Sequence, residues 1–194
     1  MALDPVNILI GVGRMYVAPL GTTFPIVTAT PAAPWADLGE TQDGVTVTPD
    51  QEIEEISVDQ ETGPVEAART AETLVIETKL ALATLENLAV VMGGTVTDVP
   101  AASAVIGTRA LGLYRGFTLT KFAFLFRGDS PYVEGYPAQY EVPRGYFAGS
   151  AEAEHVKDGN VAYPVEFHAL VDPYASSESV KFGRLIVQDA AALP

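Results

Sequence analysis

The chain has 194 residues, with 25 acidic against 11 basic side chains, two histidines, no cysteine and a formal net charge of −14. The missing cysteines exclude a disulfide scaffold, a Cys-ligated zinc or iron–sulfur centre and thiol catalysis, and the acidity excludes a basic nucleic-acid reader, which needs clustered Lys and Arg to neutralise phosphate. The length suits one domain over 1–194 with an ample core, and an apolar share of 48% with only 19% charged residues is that of a folded chain. Met1-Ala2-Leu3-Asp4-Pro5 lacks the basic start of a secretory signal. No apolar run reaches the roughly 18–20 residues that span a bilayer, so no membrane partner is expected.

Residues 1–20 are expected to hold an N-terminal arm and a first strand. Residues 22–34 carry Pro25, Pro31 and Pro34 among Thr and Ala and read as a surface loop. Asp43-Gly44 reads as a turn, followed by Val45 and Val47 alternating with Thr46 and Thr48. From Thr73 the pattern puts Leu74, Ile76, Leu80 and Leu82 on one face and Thr73, Glu77 and Lys79 on the other. Together 45–82 form a long acidic hairpin. A helix is expected over 84–92, capped by Thr84 and stopped by Gly93-Gly94, with Leu85, Leu88 and Met92 as its buried stripe.

Farther on, Phe122, Phe124 and Phe126 share a face opposite Leu119, Lys121, Ala123 and Leu125. Residues 130–149 mix Pro131, Pro137 and Pro143 with four tyrosines and Phe147 and read as a broken strand. In 161–171, Val161, Tyr163, Val165, Phe167, Ala169 and Val171 alternate with Ala162, Pro164, Glu166, His168 and Leu170, and Pro164 makes the strand an edge there or limits pairing to one side. A last run over 181–188 lies within a C-terminal arm or strand, 173–194. Many short strands and one helix predict a mainly β domain, a sandwich or barrel of antiparallel strands with the helix on its flank.

Charge is uneven. Residues 40–72 hold ten acids against one base, Arg69, a net −9, whereas 105–127 hold Arg109, Arg115, Lys121 and Arg127 with no acid. The hairpin turns near Glu61-Thr62-Gly63-Pro64. A two-stranded ribbon projecting from a domain is marginal in water and calls for a partner surface. Asp59, Gln60, Thr62, Gly63, Pro64, Val65 and Arg69 are the candidate contacts with a neighbouring copy. Glu52, Glu54, Glu55 and Glu61 are the candidate lumen or docking acids, and Arg109 and Arg115, flanking Gly112 in what reads as a loop, are the candidate basic docking partners.

The phrases Ala36-Asp37-Leu38-Gly39-Glu40-Thr41-Gln42-Asp43-Gly44-Val45, Ile56-Ser57-Val58-Asp59-Gln60-Glu61-Thr62-Gly63-Pro64-Val65 and Arg69-Thr70-Ala71-Glu72 resemble the major tail tube proteins of long-tailed bacteriophages. So do Ala83-Thr84-Leu85-Glu86-Asn87-Leu88, Val156-Lys157-Asp158-Gly159 and Val165-Glu166-Phe167-His168-Ala169-Leu170. The resemblance implies two packed antiparallel sheets with one flanking helix, hexameric rings stacked into a tube, and a long hairpin loop reaching the next ring. It further implies a homo-oligomer in the virion tail, made in the host bacterial cytoplasm, with tape-measure, tail terminator and tip proteins as partners and DNA passing through the lumen without specific binding. Some relatives append an immunoglobulin-like domain, for which this length leaves no room.

Other chemistries lack their residues. Glu152, Glu154, His155 and Asp158 could approach a metal but read as a solvated loop, and His168 has no sequence partner for a two-His site. Gly128-Asp129-Ser130-Pro131-Tyr132 misses the second glycine of a nucleophile elbow. Gly11-Val12-Gly13 precedes no helix with a third glycine, so no dinucleotide loop is present. No catalytic residue, metal or cofactor is assigned, and the chain is read as a non-enzyme. Two other functions fit a β domain of this kind: a binding module for capsid decoration or carbohydrate, using the aromatics of 132–147, and the inner tube of a contractile injection or type VI secretion machine.

Overall fold

The computed structural model describes residues 13–81, 84–130, 135–148 and 162–191. Expectations resting on Leu82, Tyr132, Val161, the Glu152–Asp158 cluster and the phrase beginning at Val156 lie outside the described residues.

The fold is mainly β, with two antiparallel sheets and one α-helix among the described residues. The strands are β1 (Arg14–Pro19), β2 (Ala36–Asp37), β3 (Thr41–Ile56), β4 (Glu66–Leu80), β5 (Val96–Val99), β6 (Thr108–Leu111), β7 (Phe122–Asp129), β8 (Pro137–Ala148), β9 (Tyr163–Ala169) and β10 (Arg184–Val187); helix α1 is Leu85–Met92. The large sheet runs β2-β1-β7-β8-β9-β4-β3, with β10 also on β8, and β5 and β6 form a separate two-stranded ribbon.

Alternation sorts the core as the sequence predicts from Phe122 onward, whereas Leu119 and Lys121, expected on the strand face of Ala123 and Leu125, lie in the loop before β7. Phe122, Phe124 and Phe126 join Met15, Val17, Ile76, Leu80, Val165 and Phe167 in the main cluster, while Ala123 and Leu125 turn the other way to meet Tyr16, Ala18 and Trp35. β1 and β7 are therefore buried on both faces. Leu74 packs on the main cluster beside Ile76 and Leu80, as its period-2 spacing requires. Pro164 pairs with Lys79 of β4, and among the described residues the pairing of β9 with β8 begins at Glu166.

Three further expectations about the elements are corrected. Residues 137–148, read as a broken strand, form the central strand β8. Pro137 opens it, and Pro143 falls where β8 passes from β10, paired through Glu141, to β9, paired from Gly145. Two residues, Pro143 and Arg144, bulge there opposite Ala123 of β7. Asp43-Gly44 is not a hairpin turn but a bulge inside β3: both have left-handed φ (63° and 81°), and the register skips from Gln42 to Val45. The Gly44 carbonyl accepts from the Thr78 hydroxyl at 2.6 Å, and Lys79 pairs with Asp43 at 2.7 Å.

The third correction concerns α1. Thr84 caps Asn87 N–H and Gly93 (φ 70°) closes the helix, as expected, but Ala89 and Val91 are its buried residues and Leu85, Leu88 and Met92 are only half-buried. The Asn87 side-chain amide donates to the carbonyl of fully buried Leu38 at 2.7 Å, which turns the Asn87–Val91 side of the helix toward the core. Sequence period alone pointed to the Leu85–Leu88–Met92 stripe and carried no signal for Asn87. Asn87→Ala is expected to cost about 1–2 kcal/mol by stranding that carbonyl. Leu88→Ala is expected to cost less than the 2–5 kcal/mol typical of a fully buried leucine. Chemical denaturation of both variants checks the order.

Candidate functional site

The ribbon β3–β4 is the feature that a folded protomer leaves unexplained. Its root is the three-strand region where Val75–Leu80 pair with β9; beyond it, Pro49–Ile56 pair with Glu66–Leu74 and no described strand joins them. Eight residues of β3 thus project about 25 Å at the usual rise per residue. Every residue from 48 to 70 is exposed.

Register assigns the faces. Val45 and Val47 pack toward the core, so Asp50, Glu52 and Glu54 point to the opposite side of the ribbon. The same side carries Glu77 of β4 and Glu166 of β9, which lie directly opposite each other across the ladder. Like charges in that position destabilise an isolated sheet. His168, 3.5 Å from Glu166 and stacked on Tyr146, borders this acidic face. Glu55 lies on the other face, level with Ala67 and next to the pair Ile53–Arg69, and Glu61 is in the turn. The four candidate acids therefore separate, with Glu52 and Glu54 on one face and Glu55 and Glu61 off it.

At the tip, Val65 N–H donates to the Ile56 carbonyl at 2.8 Å and Glu61 N–H to the Val58 carbonyl at 3.2 Å, which closes the turn that holds Asp59, Gln60, Thr62, Gly63 and Pro64. Ile56, Val58 and Val65 are 48%, 41% and 49% exposed there. Along the chain these apolar residues are flanked by Glu54, Glu55, Asp59, Glu61 and Glu66. Arg69, expected among the contact residues, pairs with Glu72 of its own strand.

A family model described as phage tail tube protein matches residues 1–180. The chain belongs to the phage tail tube proteins. That places it among the structural proteins of the virion tail, assembled into tubes. No curated protein matches it.

The basic candidates of this tail tube protein occupy different settings. Arg109 is not in a loop but on β6, and it already pairs with Asp98 at 2.7 Å and Glu86 at 2.5 Å, joining the small ribbon to α1. The Asp98 hydrogen bond and charge, with Glu86 beside them, hold the guanidinium above its ordinary range. Reversing its charge would set three acids against one another within the protomer. Arg127 is drawn inward: it donates to the carbonyls of Ala29 and Ile26 and to Gln139 at 2.5 Å, and burial lowers its pKa. Arg115 sits in the exposed loop 112–121 that precedes β7.

Two features of the tail tube protein escaped sequence reasoning. Buried Gln139 donates to Pro25 O at 2.9 Å and to Glu141 at 2.6 Å, and Arg184 reaches Glu141 at 2.7 Å, so this chain of polar groups ties the loop 22–34 and β10 to the sheet. No spacing rule predicts it, because its members come from three separate segments, the loop 22–34, β8 and β10. The other is the apolar content of the loop 112–121: Leu113, Tyr114, Phe117 and Leu119 are 78%, 80%, 101% and 52% exposed. Covering one such side chain contributes about 1.5–3 kcal/mol. Leu113, Tyr114, Phe117 and Leu119 were legible in the sequence, but hydrophobicity alone does not separate an exposed apolar loop from core.

Proposed function

We propose that this chain is the repeating protomer of the tail tube of a long-tailed bacteriophage, forming hexameric rings that stack head to tail and enclose a lumen through which DNA leaves the capsid. The projecting ribbon carries the reading: a compact monomer gains nothing from an exposed, acid-flanked apolar tip, whereas a tube uses it to join one ring to the next. A contact between unlike surfaces of identical subunits repeats without closing, which is how a stack grows.

The acidic face is assigned to the lumen. Glu52, Glu54 and Asp50 with Glu77 and Glu166 form a surface that repels phosphate, so a polyanion slides past it, the reverse of a basic binding groove. The adjacency of Glu77 and Glu166, unfavourable for a free sheet, fits a wall selected for repulsion. Tape-measure, terminator and tip proteins complete the assembly, which is made in the host bacterial cytoplasm and resides in the virion.

Electron microscopy of the purified protein at high concentration tests the reading: rings or tubes are expected, and a persistent monomer contradicts it. Replacing 55–66 by Asn-Gly, a two-residue turn suited to the flanking strands, should leave a folded protomer, because the sheet pairing that supports the core begins at Val75. That variant is expected to form no tubes; tubes of normal length from it would remove the ribbon from the mechanism.

A further inference from the structure

We propose that the loop 112–121 is the surface on which the ribbon tip of a second copy docks. The inference rests on the tube reading and identifies the receiving site. Both surfaces combine exposed apolar residues with charged neighbours, of opposite sign. On the tip, Ile56, Val58 and Val65 are flanked along the chain by acids. On the loop, Leu113, Tyr114, Phe117 and Leu119 stand exposed, and the only charged residues from 110 to 126 are Arg115 and Lys121. Desolvated apolar anchors inside a polar rim are the arrangement in which a small contact concentrates its binding energy, and opposite rim charges set its orientation.

Strand directions place the two surfaces where repetition brings them together. Val75, at the ribbon root, pairs with His168, His168 with Tyr146, and the next residue of β8, Gly145, with Phe122 at the start of β7. β4 runs from the tip toward the root, and β7, three antiparallel steps away, runs the opposite way. The loop therefore enters the sheet from the end opposite to that from which the ribbon leaves. Within one chain tip and loop point apart, and in a head-to-tail stack the tip of one copy faces the loop of the next. Val90–Gly93 of the α1 end, Phe122 and Phe147 line a small open cavity together with 115–120 of the loop, so the loop lies against the core there while Leu113, Tyr114 and Phe117 stay exposed.

The test uses the full chain. Leu113→Ser with Phe117→Ser should raise the concentration needed for tube formation more than about tenfold, with the monomer's melting temperature unchanged, because both side chains are exposed in the protomer. The absence of native cysteine permits a second measurement: Gln60→Cys with Thr118→Cys, treated with a short bis-maleimide under assembling conditions, should give a ladder of covalent multimers. Normal tubes from the serine variant, or tubes of the cysteine variant that give no ladder, overturn the inference while leaving the tube reading intact. Failure of the unmodified chain to form rings or tubes overturns the tube reading itself.

Discussion

Phe167→Ala is expected to destabilise the protomer by about 3–5 kcal/mol, the range for removing a buried aromatic side chain. Phe167 is 1% exposed and central to the main cluster. Its ring stacks on Phe124 of β7 at 4.7 Å and meets Phe147 of β8 edge-on at 5.2 Å. It therefore joins three strands of the sheet, and such ring pairs contribute about 0.5–1.5 kcal/mol beyond their buried area. Urea unfolding followed by fluorescence measures the loss. A cost below about 1 kcal/mol would mean that the sheet does not close around this ring, since even an Ile→Val change in a core reaches that size.

Gly145→Ala is expected to cost about 3 kcal/mol, the upper end of the overpacking range. A Cβ on Gly145 would overlap the Phe167 ring on one side and the His168 carbonyl oxygen on the other. The ring has no room to retreat, because Phe124 and Phe147 confine it, and the carbonyl belongs to the neighbouring strand. The glycine also sits beside the bulge at Pro143 and Arg144, where β8 changes partner, so displacement there loosens both β9 and β10. In the Phe167→Ala background part of the overlap disappears, and the Gly145→Ala penalty should shrink by about 1–2 kcal/mol, the coupling expected of residues in contact. Strict additivity in that double-mutant cycle would show that ring and glycine do not meet.

The loss of sequence-level accuracy at α1 and β8 has one physical origin. Period and turn chemistry report which residues lie on the same face of an element, yet not which face the rest of the chain will cover. In α1, an eight-residue helix offers little apolar surface, so one hydrogen bond from Asn87 to Leu38, a residue 49 positions away, decides its rotation. In β8, Pro137, Pro143 and scattered tyrosines break every local pattern. The strand forms because β7, β9 and β10 supply partners at the positions where it can accept them.

Along this chain, period-2 alternation was sufficient to determine the β character and the inward residues of β4, β7 and β9, because a buried strand face tolerates no polar slip. Composition likewise established that negative charge is concentrated on the hairpin, and family phrases in 36–72 pointed to a tail tube protein before any coordinate did. What only the tertiary structure decided is which charges and apolar groups remain available to a partner. Folding consumed Arg109 on Asp98 and Glu86 and Arg127 on the loop 22–34, split the acids between two faces of the ribbon, and left Leu113, Tyr114 and Phe117 outside. Those outcomes depend on contacts between segments far apart in sequence, and a linear pattern carries charge and hydrophobicity but not the distances that cancel or expose them.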